Sequence, residues 1–400
     1  MPDEVDAAYS GRRLRYGPDY IIPVPFDPRL ISYVPPFVAQ AAMDSGVARR
    51  PIADFVAYQR ELELFVYRSG QLMRPVFAVA RSAPQRVVYA EGEDDRVLRA
   101  VQSVVDEKMA QPVLIGRRAF ITERVRQLGL RLSVGDNVSV VDPNEDGELM
   151  RPLIQRYQTL VDRKGVPLEA AERRVLRRPT IAAAMMLETG QVDAALVGGR
   201  DDWSRHMTHV MPIITRSEGV SRIYALSSLI LQNGTLFFCD THVNIDPTAE
   251  QVAEMTLLAA DAVRRFGLTP KAALLSHSSF GAGSSTSARK MRQALKLIRQ
   301  QAPELEVDGE MHADSALSET LRHRLVAQSP LTGSANLLVM PTLDAANIAM
   351  TLLSAATEAL LVGPLLLGIS KPLQVLVPRV TARGIVNMTA LAVAHANQKR

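Results

Sequence analysis

Residues 272–316 constrain the fold more than any other stretch, because a strand pattern, a Ser/Gly loop and a helix pattern follow one another there. The apolar run 272–275 predicts a buried strand, and residues 288–300 carry apolar side chains at helical spacing. The loop between them, residues 276–287, is mostly small or hydroxyl-bearing. Strand, loop and helix N-terminus together predict an anion site, because free backbone N–H groups and the positive end of the helix dipole point at the ligand.

The loop carries the groups that a phosphate needs. Gly281 and Gly283 allow the backbone to approach a ligand closely. Hydroxyl groups that can donate to phosphate oxygens belong to Ser278, Ser279, Ser284, Ser285 and Thr286. The spacing is neither that of a P-loop nor Gly-x-Gly-x-x-Gly. An ordinary Ser/Gly turn that caps a helix has the same composition, so both interpretations stay open.

Length and composition indicate a globular protein of two or three structural units, because 400 residues exceed what one small core holds. A formal net charge of +4, spread along the chain, gives little support for nucleic acid binding and is compatible with an anionic metabolite. The single cysteine, Cys239, excludes an internal disulfide and a multi-cysteine metal site, and it suits a reducing cytoplasm.

The hydropathy of the sequence predicts neither a signal peptide nor a membrane span. The first residues lack the apolar core of a signal peptide. The most apolar region, residues 337–369, is interrupted by Pro341, Asp344 and Pro364, which is typical of buried helices and strands and not of a membrane span.

Residues 1–80 differ from the rest of the chain. Prolines are too dense for regular structure up to residue 36. The pattern then predicts one helix over residues 37–45 and another over 52–69, with Gly70 as its C-cap. Two helices without a strand cannot close a domain, so this segment is expected to be the end of a larger protein whose first half is absent.

From residue 86 onward the pattern is α/β. Short apolar runs alternate with helix patterns, and the predicted strands are 86–90, 113–115, 138–141, 194–197 and 236–239. Such alternation favours parallel pairing with right-handed crossovers. Ligands bind such sheets at the carboxyl ends of the strands. Five polar motifs follow predicted strands: residues 91–96, 198–202, 240–246, 276–287 and 308–314.

Several single residues have two interpretations. His242 and His277 follow apolar strands, and each is either a ligand or base or a side chain that simply bonds a neighbouring loop. No histidine pair has metal-binding spacing. Trp203 is interpreted as a packing residue. The basic residues of the helix after the loop predict a solvated face, with the first two close enough to reach a phosphate: Arg289, Lys290, Arg292, Lys296 and Arg299.

Long motifs in one order resemble the phosphate acetyltransferase family, in the version fused to the C-terminus of bacterial NADP-dependent malic enzymes. The motifs are DTHVNIDPTAEQ, LLSHSSFGAGSS, DGEMHADSAL, GSANLLVMPTLDAANIA, VGPLLLGISKP and RGIVNMTALAV. The resemblance covers about residues 86–397, and residues 25–52 resemble the last helices of the malic-enzyme catalytic part.

The resemblance implies an α/β fold with two α/β/α subdomains and a cleft between them, of the isocitrate/isopropylmalate dehydrogenase-like architecture. Residues 1–80 would be the C-terminal helices of the malic-enzyme NAD(P)-binding domain plus a linker, and residues 81–400 the acetyltransferase-like domain. Within it, subdomain one would be residues 85–215 with the C-terminal helix 383–400, and subdomain two residues 216–382.

By the same resemblance, coenzyme A and an acyl phosphate meet in the cleft. The positions that match the family's motifs or lie beside them, and are predicted to bind acyl-CoA or phosphate, are Ser276, Ser278, Ser279, Gly281, Gly283, Ser284, Arg289, Asp308, Glu310, Asp314, Asn347, Lys371 and Arg379. The sequence departs from the family after Lys371. Where the family has a serine, an arginine that holds acetyl phosphate and an aspartate, ungapped alignment places Val377, Pro378 and Gly384.

Valine and proline cannot replace a guanidinium fork, and glycine cannot act as a base, so acyl transfer is predicted to be lost while the cleft remains. Arg379 is adjacent, and a one-residue slip would restore the arginine but no carboxylate. No catalytic residue is therefore assigned. The leading hypothesis is a regulatory acetyl-CoA-binding domain of an NADP-dependent malic enzyme, with NADP and Mg²⁺ or Mn²⁺ bound in the missing half.

Two alternatives remain. One is a working phosphate acetyltransferase, and the other is an oligomerisation module with a vestigial cleft. Each hypothesis predicts a homo-oligomer, a dimer through this domain with higher assembly, in the cytoplasm, and none involves nucleic acid, a membrane or a metal ion on this chain.

Overall fold

A computed structural model describes residues 29–58, 62, 69–231, 234–357 and 359–398. The chain divides into two compact units, one up to Arg74 and the other Pro75–Arg400. Helix α1 (Arg29–Asp44) contains both Pro35 and Pro36, so the prediction that prolines prevent regular structure before residue 37 is wrong. Each proline removes one backbone donor, and the helix continues past both.

Helix α2 (Ser69–Ser82) also differs from the prediction, because it runs through Gly70, which was expected to end a helix. Glycine lowers helix stability but does not terminate a helix when the following residues favour it. Half of the helix predicted over residues 52–69 lies outside the described residues.

The first sheet is entirely parallel, as the alternating pattern predicts. It contains β1 (Gln85–Tyr89), β2 (Ala110–Ile115), β3 (Ser139–Val141), β4 (Ala194–Gly198) and, from much later in the chain, β11 (Leu373–Leu376). Their order is β11-β4-β1-β2-β3. The helices of this part are α3 (Asp95–Asp106), α4 (Arg118–Gln127), α5 (Gly147–Val161), α6 (Leu168–Arg177), α7 (Pro179–Glu188) and α8 (Trp203–Val210).

The second sheet is mixed. It contains β5 (Tyr224–Leu231), β6 (Gly234–Cys239), β7 (Lys271–Leu275), β8 (Glu306–Met311), β9 (Leu337–Val339) and β10 (Leu360–Leu367), in the order β10-β5-β6-β9-β7-β8. Its helices are α9 (Ala249–Arg265), α10 (Thr286–Gln301), α11 (Ala313–Leu317), α12 (Glu319–Leu325) and α13 (Leu343–Thr357).

Strands β6, β9, β7 and β8 are parallel, but β5 is antiparallel to both of its neighbours, so the prediction of parallel pairing is wrong for β5 and β10. Leu231 lies opposite Gly234, which makes β5 and β6 a hairpin with a two-residue connection. The sequence has Asn233-Gly234 at this point, a dipeptide that marks turns, and that sequence signal was missed.

The end of the chain returns to the first sheet. Strand β11 pairs with β4, and α14 (Ala382–Gln398) packs against α3, β1 and β4. The hydroxyl groups of Tyr89 and Thr389 are hydrogen-bonded at 2.9 Å inside this packing. A second subdomain that extends to residue 382 therefore does not follow the strand pairing, since residues 373–376 belong to the first sheet.

In the part of the chain that the structure describes, no helix is both long and apolar enough to cross a bilayer. The apolar helix α7 is instead internal, because it is buried from Thr180 to Leu187 against the first sheet. A helix that is apolar on all sides is typical of a protein core.

Candidate functional site

The Ser/Gly loop between β7 and α10 is folded around a carboxylate of the same chain. Glu310 is fully buried on β8, and its Oε1 accepts hydrogen bonds from Ser278 Oγ at 2.7 Å, the Gly281 backbone N–H at 3.0 Å and Arg292 Nη1 at 2.6 Å. The Gly283 N–H donates to Ser278 Oγ at 2.7 Å. The loop thus has the donor arrangement of an anion site, and Glu310 supplies the anion.

Burial alone would raise the pKa of Glu310, but the bonds from Ser278 and Gly281 and the charge of Arg292 outweigh it and hold the pKa below its usual value. The carboxylate is therefore ionised at neutral pH. The expectation that Ser278, Gly281 and Glu310 contact a bound phosphate stays a prediction, although these donors already serve an internal anion.

Strand β8 corrects two further expectations. Asp308, Gly309 and Glu310 lie within strand β8 and not after it. The side chains of Asp308 and Glu310 are buried, and both carboxylates pair with arginines of α10. Asp308 accepts from Arg299 at 3.0 Å, as Glu310 does from Arg292. Arg299 is exposed, as the predicted solvated face requires, whereas Arg292 is only partly exposed and points at the buried Glu310.

The N-terminal half of α10 is also engaged. Ser285 is the N-cap, and its Oγ accepts from the Ala288 N–H at 3.1 Å. Arg289 donates to the Ser284 carbonyl. Lys290 Nζ lies 2.5 Å from Asp246 Oδ1, which connects α10 to the loop after β6.

The other predicted site residues divide by location. Ser276 Oγ accepts from the Ser278 N–H at 3.2 Å, and Ser279 Oγ accepts from the His312 N–H at 3.2 Å, so both belong to the Ser/Gly loop. Asp314 is exposed on α11 and accepts from the Ser315 N–H at 2.6 Å.

Three further predicted residues lie away from that loop. Asn347 Nδ2 donates to the Thr241 carbonyl at 3.3 Å, beside the loop after β6. Lys371 Nζ donates to the Leu187 and Glu188 carbonyls at 3.2 and 2.7 Å, and so caps the C-terminal end of α7. This position is at the amino ends of the strands of the first sheet, whereas the polar motifs lie at the carboxyl ends. Arg379 is exposed between β11 and α14.

A side chain at position 384, where the resemblance implies an acid, would require Val380 to shift. A Cβ atom on Gly384 would lie 2.9 Å from Val380 Cγ2. The backbone is fixed by Arg96, whose Nη1 donates to the Pro378 carbonyl at 2.8 Å and to the Val380 carbonyl at 3.1 Å. Val377 packs against the apolar core of the first sheet. The three departing positions are therefore uncharged, with Val377 packed on the core and Pro378 exposed.

The ring nitrogens of His242 and His277 bond residues of their own loops. His242 Nδ1 lies 2.9 Å from Thr241 Oγ1, and burial lowers the pKa of His242 to about 4, which keeps the ring neutral. His277 Nε2 lies 3.2 Å from Ser285 Oγ. The described residues contain no group of three or more acidic, histidine or cysteine side chains that could hold a metal ion.

A cavity of about 740 Å³, here called the cleft pocket, lies between α8 of the first sheet and the loop after β6 of the second. Its apolar wall includes Trp203, Met207, Met211 and Val243, and two guanidinium groups line it, those of Arg216 and Arg222. The volume lies within the range of small-molecule and cofactor sites, about 300–1,000 Å³.

Trp203 holds the cleft pocket in place. Its side chain is 7% exposed, its Nε1–H donates to the Val375 carbonyl on β11 at 3.0 Å, and its ring lies 5.2 Å from that of His242. The prediction that Trp203 is a packing residue is confirmed. Sequence reasoning missed Met207, Met211, Arg216 and Arg222, because they have no motif spacing and meet only through the packing of α8.

The five polar motifs gather in two places and not in one. Residues 91–96 and 198–202 meet at the first sheet, where Arg96 Nη2 donates to the Gly199 carbonyl at 2.8 Å. Residues 276–287 and 308–314 meet at the second sheet through Glu310, and residues 240–246 join them through Lys290. The motifs were predicted to converge on one site, but they form two clusters, each at the carboxyl ends of the strands of one sheet.

The fold and these motifs define a protein of the acyl-phosphate transferase class. The chain belongs to the phosphate acetyl/butaryl transferase family, whose model matches residues 71–393. A solved structure of this kind, a phosphotransacetylase from Streptococcus pyogenes, is 26% identical, covers 82% of this chain and 99% of its own, and superposes with a TM-score of 0.74.

Longer relatives specify the type of domain. The chain is 50% identical over 99% of its length to an NAD-dependent malic enzyme of Rhizobium meliloti, and 47% identical over 98% to an NADP-dependent malic enzyme of Escherichia coli. It spans 52% of each of these relatives. The chain is therefore a phosphate acetyltransferase-like domain of the kind found in bacterial malic enzymes.

Proposed function

We propose that this chain is a regulatory domain that binds acetyl-CoA in the cleft pocket without transferring its acyl group. The observation that carries the proposal is the segment after β11, where ungapped alignment puts Val377, Pro378 and Gly384 at the positions of the serine, arginine and aspartate that the resemblance implies. A transferase needs a base for the thiol as well as a cation for the acyl phosphate. Arg379 and Arg383 supply positive charge in this segment, but residues 377–384 contain no carboxylate and no histidine.

The chemistry of the cleft pocket suits an acyl-CoA. Met207, Met211 and Val243 offer apolar surface to the acyl and pantetheine groups, and methionine side chains adapt to such ligands. Arg216 and Arg222 offer charge-assisted hydrogen bonds to the phosphates. The neutral ring of His242 adds no charge between these two parts.

The proposal extends to the whole protein as follows. A malic enzyme that contains this domain converts malate to pyruvate and CO₂, and NADP and Mg²⁺ or Mn²⁺ bind in its catalytic half. Acetyl-CoA bound to this domain alters malate turnover only if the assembly has two states of different acetyl-CoA affinity. The described residues of this chain fit no metal, since they contain no suitable cluster of ligands, and every step assigned here is a binding step.

The domain is also proposed to self-associate, with the surface of α13 as the contact. Ile348 and Leu352 on this helix are 62% and 68% exposed. No charged residue follows Asp344 within α13, so two copies related by a two-fold axis can pack this face without repulsion. A second copy of this chain is therefore the proposed occupant, in a cytoplasmic homo-oligomer.

The test is calorimetric titration of acetyl-CoA into this chain, with acetyl phosphate turnover measured on the same sample. Binding without turnover is the expected result. Turnover would contradict the proposal and make the chain an acetyltransferase. If the chain neither binds nor turns over, the domain serves assembly alone.

A pair of variants locates the binding site. Replacing Arg216→Gln and Arg222→Gln together is expected to weaken acetyl-CoA binding about tenfold or more, because charge-assisted hydrogen bonds contribute about 1.5–3 kcal/mol each. The control is Arg324→Gln, an exposed arginine on α12 outside the pocket. Equal losses in the variant and the control would mean that the effect comes from net charge and not from the cleft pocket.

A further inference from the structure

A second cavity, of about 340 Å³, lies at the carboxyl ends of β1 and β2. It is here called the arginine cavity, because four guanidinium groups line it, those of Arg177, Arg178, Arg200 and Arg205. Two predicted motifs, residues 91–96 and 198–202, line part of it. Arg177, Arg178 and Arg205 belong to no predicted motif, and only the fold brings them to the cavity.

Three of these arginines are unusual in charge balance. Arg200 donates to Asp94 at 3.3 Å, whereas Arg177, Arg178 and Arg205 make no ion pair with any residue in the described part of the chain. Most other arginines near the first sheet are paired, as Arg124 is with Asp95 at 2.6 Å. Unpaired guanidinium groups that line one cavity indicate an anionic ligand.

The backbone adds to the positive potential. Helix α7, ten residues long, begins at Pro179 on the wall of the cavity, and no side chain caps its N-terminus. Burial lowers the pKa of His209, and the charge of Arg178 lowers it further, which is the sign of a positive environment. The positive end of a helix dipole beside guanidinium groups favours phosphate in particular.

The opposite wall does not repel an anion as strongly as its composition suggests. Burial raises the pKa of Glu91 to about 8, so this carboxyl is mostly protonated at neutral pH and can donate a hydrogen bond. Glu93 is bound by Arg117 at 2.8 Å, and Asp94 by Arg96 at 3.0 Å. Asp201, the fourth acidic residue of the lining, is exposed and has no ion pair among the described residues, so an anion would bind on the arginine side of the cavity, away from Asp201.

Helix α8 forms a wall of both cavities. Arg205, His206 and His209 line the arginine cavity, while Met207 and Thr208 line the cleft pocket. His206 holds the side of α8 that lines the arginine cavity. Its Nε2 lies 2.6 Å from the Arg200 carbonyl oxygen, and its Nδ1 lies 2.8 Å from Thr180 Oγ1. A small shift of this eight-residue helix changes the shape of both cavities together.

We infer that the arginine cavity is a second ligand site that binds a small phosphate monoester, and that α8 couples it to the cleft pocket. The binding site is inferred from the cavity alone, whereas the coupling rests on the proposed function. A phosphate dianion would accept from Arg177, Arg178 and Arg205, with its organic group toward Glu91.

The experiment is a calorimetric titration of glycerol 3-phosphate into the full chain at constant ionic strength, with malonate as the comparison dianion. Arg178→Gln and Arg205→Gln are each expected to weaken glycerol 3-phosphate binding about tenfold, the effect of one lost charge-assisted hydrogen bond. The matched control is Arg173→Gln on α6, an exposed arginine outside the cavity. Acetyl-CoA is then titrated with and without saturating glycerol 3-phosphate.

Selective phosphate binding that the two variants lose and the control keeps supports the site, even if acetyl-CoA does not bind at all. No phosphate binding, equal malonate binding or an equal loss in the control overturns it, and leaves the acetyl-CoA proposal to its own titration. A change in acetyl-CoA affinity that levels off as glycerol 3-phosphate increases supports coupling. A weakening of acetyl-CoA binding that continues without limit means one shared site and overturns the inference of a second one.

Discussion

Removal of the Glu310 carboxylate tests whether the Ser/Gly loop is held by an internal anion. Glu310→Ala leaves the Gly281 N–H, the Ser278 hydroxyl and Arg292 without their acceptor. The Arg292 side chain is 31% exposed and can turn toward water, but Gly281 cannot. Breaking a buried ion pair by removing one partner costs about 3–5 kcal/mol, and we expect a loss of that size in the free energy of unfolding.

Glu310→Gln separates shape from charge. The amide keeps one acceptor oxygen in place and loses the charge, and charge-assisted bonds are about twice as strong as neutral ones. We therefore expect Glu310→Gln to lose about half as much stability as Glu310→Ala. The measurement is urea denaturation followed by circular dichroism, with Glu304→Ala, an exposed acid just before β8, as the control.

The pH dependence gives an independent check. The pKa of Glu310 is lower in the folded state than in the unfolded chain, so its contribution is complete above pH about 4.3 and declines as the pH falls through the folded pKa. The stability difference between the wild type and Glu310→Gln is expected to shrink in acid. A loss below about 1 kcal/mol for Glu310→Ala, the size of a surface ion pair, would refute the reasoning.

Three further predictions concern assembly, the core and pH. Leu352→Glu is expected to dissociate the oligomer in analytical ultracentrifugation, while Leu168→Glu, at an exposed leucine on α6, leaves its mass unchanged; an unchanged mass for both would exclude the α13 contact. Arg322→Met is expected to lower the free energy of unfolding, measured in urea, by more than about 3 kcal/mol, because the fully buried guanidinium donates to four backbone carbonyls. A smaller loss would mean that those carbonyls find other donors. The urea midpoint of the wild type is expected to fall between pH 7 and pH 5, and His242→Gln is expected to make this fall smaller. The reason is that His242 in the unfolded chain takes up a proton below pH about 6.5, whereas the folded ring, with a pKa of about 4, does not. An equal fall in both proteins would contradict this.

The elements of the α/β part could be predicted closely because their signals are local. The strand predicted over residues 86–90 is Gln85–Tyr89, and the helix predicted over 288–300 is Thr286–Gln301 with Ser285 as its cap. An apolar run between polar turns is enough for a buried strand. Strand β5 (Tyr224–Leu231) was not among the predicted strands, so its antiparallel pairing with β6 was missed as well.

The sites could be predicted only in part, because their content depends on which strands become neighbours. The Ser/Gly loop has the same sequence whether it receives an external phosphate or Glu310, and the pairing of β7 with β8 decides the outcome. The cleft pocket and the arginine cavity depend on the two faces of α8. Met207 and Arg205 are ordinary helix residues until both faces meet other elements.

The return of β11 and α14 to the first sheet has a consequence for the order of synthesis. A ribosome completes β4, which ends at Gly198, about 175 residues before it reaches β11, which begins at Leu373. Helix α14, which covers β1 and β4, is the last helix of the described chain. The half that is made first cannot finish folding until the half made last has emerged, and its open β4 edge and apolar face need protection meanwhile. A stop codon just before β11 would therefore damage the beginning of this domain more than its middle.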